Sequence, residues 1–89
     1  MSPEATEART QFLQRLTQER RLSAHTRSAY ERDLAALAEW CDRQGLTGWG
    51  DLDHGHIRLF SAHSHAAGLA PRSIQRRLSA VRSFYAFLQ

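Results

Sequence analysis

An all-α fold, a compact bundle of four main helices, is what this 89-residue chain predicts, and three observations carry that expectation. Apolar residues recur at three- and four-residue spacing through four segments, and no stretch alternates apolar with polar in the manner of a half-buried strand. Helix-capping residue types stand at the segment ends. The connections are short, which suits neighbouring helices packed on one another.

The first segment runs from about Pro3 to Glu19, with Ala5, Ala8, Phe12, Leu13 and Leu16 on its buried side. Glu4 and Glu7 lie near its start and Arg20 and Arg21 at its end, the arrangement a helix dipole favours. A break follows at Leu22–Ser23, and Ser23 is the natural N-cap of a second helix reaching about Gln44. The apolar face of that helix is Thr26, Tyr30, Leu34, Leu37 and Cys41, flanked by Ala38 and Trp40. Gly45 ends it as a left-handed C-cap residue. Leu46 to Leu52 reads as a loop whose Trp49 and Leu52 fold back on the core. Asp53 caps a third helix extending to about Ala67, with Ile57, Phe60 and Ser64 inward and Gly55 weakening the first turn slightly. Gly68 closes it, Leu69 anchors the turn, and Pro71 opens the fourth helix at a position that tolerates proline.

The fourth helix, within APRSIQRRLSAVRSFYAFLQ (Ala70 to Gln89), is the most telling segment. Ile74, Leu78, Val81, Tyr85 and Leu88 form one narrow apolar stripe. Arg72, Gln75, Arg76, Ser79, Arg82 and Ser83 fall on or beside the opposite face, and no acid within the segment neutralises them. Arg77 projects to the margin of the stripe, where it can bridge helices. Forked cations beside short hydroxyls suit a helix laid against a phosphate backbone and a major groove. The same face equally suits a solvated bundle surface. Phe87 projects away from the stripe; left bare, it calls for a second domain, a partner, or a longer parent protein.

Composition narrows the function. All twelve basic residues are Arg, the residue better suited than Lys to bidentate phosphate and guanine recognition. After Asp53 there is no further acid, while Arg58, Arg72, Arg76, Arg77 and Arg82 follow, a one-sign field that attracts polyanions. No apolar run approaches a membrane span and no signal-peptide pattern opens the chain, so the expectation is a soluble, cytoplasmic protein without a membrane partner. Cys41, alone, excludes an internal disulfide and a cysteine-built zinc site. His54, His56, His63 and His65 form two H-x-H pairs, but residues two apart on a helix point away from each other, so no metal site is expected. No nucleophile elbow or phosphate-cradling glycine loop occurs, and Asp51 and Asp53 suit capping better than acid–base work. No cofactor and no catalytic residue are assigned, and the chain by itself is not expected to be an enzyme. At the start of the second helix, free backbone N–H groups, hydroxyls and Arg27 make a plausible phosphate anchor. His25, Ser28 and Arg32 lie opposite its stripe, and Glu39 restricts any DNA contact to the N-terminal half.

The run LSAHTRSAYERDLAAL (Leu22 to Leu37), followed by GLAPRSIQRRLSAVRSFYAFL (Gly68 to Leu88), resembles the N-terminal core-binding, SAM-like domain of tyrosine recombinases, and the Xer group in particular. Leu22, Ser23, Thr26, Tyr30, Asp33 and Leu34 meet its first pattern; Ser73, Arg76, Leu78, Ser79, Ala80, Arg82, Phe84 and Tyr85 meet its second. The resemblance implies that residues 1–89 are a DNA-docking domain forming half of a clamp, with the second and fourth helices on the major groove of a recombination half-site. It implies a separate catalytic domain absent from this chain, a double-stranded DNA recombination site as partner, and sister recombinase subunits in a heterotetramer. Neither Tyr30 nor Tyr85 is expected to be the recombinase nucleophile. By position, the DNA-binding candidates are Thr26 and Arg27 on the second helix and Ser73, Arg76, Arg77 and Ser79 on the fourth, with Arg72, Gln75, Arg82 and Ser83 beside them. Gln75 suits adenine and Arg76 guanine if they reach base edges, the others phosphates. Two other readings stand beside this one. A helix-turn-helix regulator would use Ala66 to Ala70 as its turn, and an all-α protein-interaction module would grip a partner through aromatics near Phe87.

Overall fold

The computed structural model describes all 89 residues and contains four α-helices: α1 (Pro3–Thr17), α2 (Ala24–Arg43), α3 (His54–Ala66) and α4 (Pro71–Leu88). Each boundary has a local cause. Ser2 caps α1 by accepting from the Ala5 N–H, with Pro3 at the first helical position, and Ser23 caps α2 by accepting from the Thr26 N–H. Asp53 and His56 form a reciprocal box at the start of α3: Asp53 Oδ1 accepts from the His56 N–H at 2.9 Å, and the Asp53 N–H donates to His56 Nδ1 at 3.1 Å. The backbone N–H bonds of that box hold the Asp53 carboxyl below its usual value. Gly45 and Gly68 take φ of +77° and +95°, the left-handed conformation in which a side chain would be strained. Ala70, at the N-cap of α4, offers no side-chain acceptor.

The first helix stops two residues earlier than expected. The Gln18 and Glu19 N–H groups bond the Arg15 and Leu16 carbonyls, three residues back, and this tighter pattern ends the α-helical run. The expected loop contains a single 3-10 turn, Trp49–Asp51. Within it Trp49 is buried and donates from Nε1 to the Ala5 carbonyl at 2.8 Å. Its own carbonyl accepts from the Tyr85 hydroxyl at 2.6 Å. This turn therefore fastens α1 and α4 together.

The core is aromatic. Phe84 is fully buried, with ring centroids 5.2 Å from Phe12, 5.0 Å from Trp49 and 5.9 Å from Tyr85, in the tilted and edge-on arrangements aromatic rings prefer. Leu34, Leu37 and Cys41 of α2 complete it, and Trp40 meets Phe60 of α3 at 5.7 Å. Phe87 is not bare: it packs on Phe12 at 5.4 Å, and the Arg15 guanidinium lies 5.8 Å above its ring.

One expectation needs correction. The buried residues of α4 are Ala80, Val81 and Phe84, while Ile74 and Leu78 are only half-buried and lie outside the central cluster. Projected at about 100° per residue, the buried arc is turned roughly 70° from the expected stripe, towards Arg77. The cause lies on α2. Asp33, in the middle of its apolar face, is buried there with Ala29, Leu34 and Leu37, and a buried carboxylate requires cations. Helix α4 turns its Arg76–Arg77 edge inward to supply them.

Candidate nucleic-acid interface

Asp33 has 0 % of its side chain exposed and accepts three charge-assisted hydrogen bonds. Arg76 donates from Nε to Oδ2 at 2.9 Å and from Nη2 to Oδ1 at 2.8 Å. Arg77 donates from Nε to Oδ1 at 3.1 Å and from Nη1 to Ser64 Oγ on α3 at 2.9 Å. The Arg77 guanidinium also lies 5.4 Å from the centre of the Phe60 ring. One carboxylate thus holds α4 to α2, and through Arg77 and the buried Ser64 to α3. The side chain of Arg77 is 14 % exposed and that of Arg76 33 %. Hydrogen bonds donated to Asp33 raise the Arg76 pKa beyond its already high value, so the guanidinium stays charged.

Asp33 meets Arg76 and Arg77 early in α4, and Tyr85 late in α4 bonds Trp49 just beyond the end of α2. Leu22, just before α2, lines a surface groove with Ser83 and Phe87 late in α4, so the contacts of α4 reach from the middle of α2 to its start.

The sequence-predicted site residues fall into two groups. Arg72, Gln75, Arg82 and Ser83 are exposed on α4, with Arg82 Nη2 donating to the half-buried Ser79 Oγ at 3.2 Å. Ser73 is half-buried in the first turn. On α2, the Thr26 Oγ1 accepts from the Ser23 hydroxyl at 2.9 Å, and Arg27 Nη1 donates to the Leu22 carbonyl at 2.9 Å. Arg76 and Arg77 form the second group, drawn inward by Asp33. The basic face of α4 is thus neutralised in part by an acid 43 residues away, which a reading confined to the segment misses. Asp33 is the residue that sequence reasoning left without a role. The signal for it was a lone acid four residues from both Ala29 and Leu37 on an apolar face.

Elsewhere no comparable chemistry assembles. No group of three or more His, Cys, Asp or Glu side chains is placed to hold a metal ion. No helix is long and apolar enough to cross a membrane. Burial pushes the Cys41 thiol up to about 11, so it is not a nucleophile at neutral pH.

In this four-helix domain an acid on the second helix ties down an arginine pair on the fourth; residues 10–89 match the phage integrase N-terminal SAM-like domain, and the chain belongs to that family. It is 52 % identical over 77 residues to the tyrosine recombinase XerC of Xanthomonas campestris pv. campestris, a match covering 86 % of this chain and 24 % of the relative. It is 44 % identical over 77 residues to the XerC of Pseudomonas syringae pv. tomato, covering 86 % and 26 %. The XerC of Xanthomonas axonopodis pv. citri is 44 % identical over 88 residues, covering 88 % and 29 %. The chain thus spans about a quarter of the length of these curated relatives. No solved structure gives a significant match.

Proposed function

We propose that residues 1–89 are the DNA-docking domain of a site-specific tyrosine recombinase of the XerC type. The domain docks on a double-stranded recombination half-site, and cleavage and rejoining belong to a catalytic domain elsewhere in the parent protein. In that protein the domain serves a XerC–XerD-like heterotetramer in the cytoplasm, resolving chromosome dimers at cell division.

The observation that carries this reading is the exposed polar face of α4, Arg72, Gln75, Arg82 and Ser83, with no acid on that helix. Arg72 and Arg82 are suited to phosphates and Gln75 to an adenine edge. Thr26 and Arg27 on α2 and Ser73 and Ser79 on α4 add further hydrogen-bonding groups. The protein-interaction reading needs a free aromatic grip, whereas Phe87 is engaged by Phe12 and Arg15.

Binding to a duplex carrying a XerC-type half-site, measured across a salt series, tests the proposal. Each neutralised phosphate contributes roughly 0.9 to the slope of log affinity against log salt. Arg72→Gln and Arg82→Gln each lower that slope by about 1, while Arg9→Gln on α1 leaves it unchanged. Binding that ignores salt, or an equal effect of Arg9→Gln, refutes it.

A further inference from the structure

The Asp33–Arg76 pair leaves one edge of a guanidinium unspent. A guanidinium carries five N–H donors in a rigid plane. Asp33 takes two from Arg76, one on Nε and one on Nη2. Nη1 makes no hydrogen bond, no buried side-chain nitrogen or oxygen in the molecule lacks a partner, and the Arg76 side chain is a third exposed, so Nη1 is not sealed from solvent. Two donors on Nη1 and one on Nη2 remain, and together they form a second fork on the outer edge. Arg77 has no equivalent: its Nε and Nη1 are spent on Asp33 and Ser64, and its side chain is far more enclosed.

We infer that Asp33 is a positioning residue: it locks the inner edge of Arg76 so that the outer fork is preset for the O6 and N7 acceptors of a guanine. The inference rests on the DNA-docking reading above and assigns within it the residue that confers sequence selectivity. Two physical points favour guanine over phosphate. A locked guanidinium has surrendered the freedom to follow a flexible backbone, and what it gains is direction, which the fixed O6 and N7 pair of a guanine edge uses to tell one base from another. Its charge is also shared with a buried carboxylate, so it attracts a polyanion less than the free Arg72 and Arg82 do. Those two flank it on the same helix and are placed to hold the backbone while Arg76 reads.

The test uses this chain and duplex DNA selected by it from a pool with randomised positions. Each guanine of the selected sequence is then replaced in turn by 7-deazaguanine, which removes only the N7 acceptor. One replacement weakens wild-type binding roughly 5- to 150-fold, the range for loss of a bidentate base contact. Arg76→Lys keeps the charge but has no fork; it binds with an unchanged salt slope and is indifferent to that replacement. Asp33→Asn, in protein shown to be folded by circular dichroism, loses the same discrimination while its salt slope does not fall. Should Asp33→Asn unfold, the Arg76→Lys comparison decides alone. Failure to bind any duplex overturns the docking proposal and this inference together. Selective binding with no sensitive guanine, a sensitive guanine that Arg76→Lys still reads, or a uniform loss across all sequences in Asp33→Asn overturns this inference and leaves the docking proposal standing.

Discussion

Replacing Asp33 with alanine removes the acceptor of three charge-assisted hydrogen bonds and leaves two guanidiniums facing an apolar gap. The consequences for the two arginines differ. Arg76, a third exposed, can swing into water and recover its hydration. Arg77, 14 % exposed and hemmed in by Phe60 and Ser64, has little room to do so. Removing one partner of a buried pair costs about 3–5 kcal/mol, and the escape of Arg76 puts the expected loss near the lower end, about 3 kcal/mol. A domain of this length has a total stability of roughly 4–13 kcal/mol. The melting temperature should therefore fall by roughly 12–24 °C, at about 4–8 °C per kcal/mol for a domain this small. Thermal and urea unfolding followed by circular dichroism measure this directly. Asp42→Ala provides the contrast: Asp42 pairs with the N-terminal ammonium but is 56 % exposed, and an exposed pair contributes under about 1 kcal/mol. If Asp33→Ala melts within a few degrees of wild type, or no lower than Asp42→Ala, the node does not hold α2 and α4 together and the reasoning fails.

Three further outcomes follow from the packing. Phe84→Ala removes the ring against which Phe12, Trp49 and Tyr85 pack, at a cost of about 3–5 kcal/mol, read as a collapse of the urea midpoint; a loss below about 1 kcal/mol contradicts the core described above. Ser23→Ala strips the α2 cap and lowers stability by about 1 kcal/mol, whereas Ala70→Ser, which adds a capping hydroxyl to α4, raises it; equal effects of the same sign refute both assignments. Burial, reinforced by Asp42, raises the Cys41 thiol to about 11, and burial raises the Tyr85 phenol to about 12. Both groups favour the protonated fold, so their stabilisation is complete below the unfolded thiol value near 9 and is lost as pH rises through 11 and 12. Urea midpoints should fall between pH 9 and 11, and less steeply in Cys41→Ala; a flat profile excludes the assignment.

Much of the fold was legible because the signals were local. Ser23, Gly45, Asp53, Gly68 and Pro71 each act on the backbone within a few residues, and the helix boundaries they imply are those observed. The inward placement of Trp49 and Ser64 was also legible from their neighbours. The rotation of α4 was not. It depends on an acid on one helix meeting two arginines 43 and 44 residues later, and no window along the chain contains both. Of the ten candidate contacts, the sequence set apart only Arg77, at the margin of the stripe, and for the same reason Arg76 kept its place on the exposed face. The structure separates exposed Arg72, Gln75, Arg82 and Ser83 from Arg76 and Arg77, which are turned towards Asp33. Phe87 misled for a related reason: the ring that covers it, Phe12, belongs to the opposite end of the chain.

The fastening of the Trp49 turn to both Ala5 and Tyr85 has a consequence for how the protein is made. Phe12 and Trp49 have no complete environment until Phe84 arrives between them, and Phe84 lies in the last turns of α4. On a ribosome adding roughly 5–20 residues per second, α1 waits about 4–14 s for that ring. Through that interval the nascent chain exposes its aromatic surface, so closure during synthesis is a single late event rather than a helix-by-helix accretion. A stall just before Phe84 should leave a chaperone-binding, protease-sensitive chain, and one with Leu88 clear of the ribosome should be resistant.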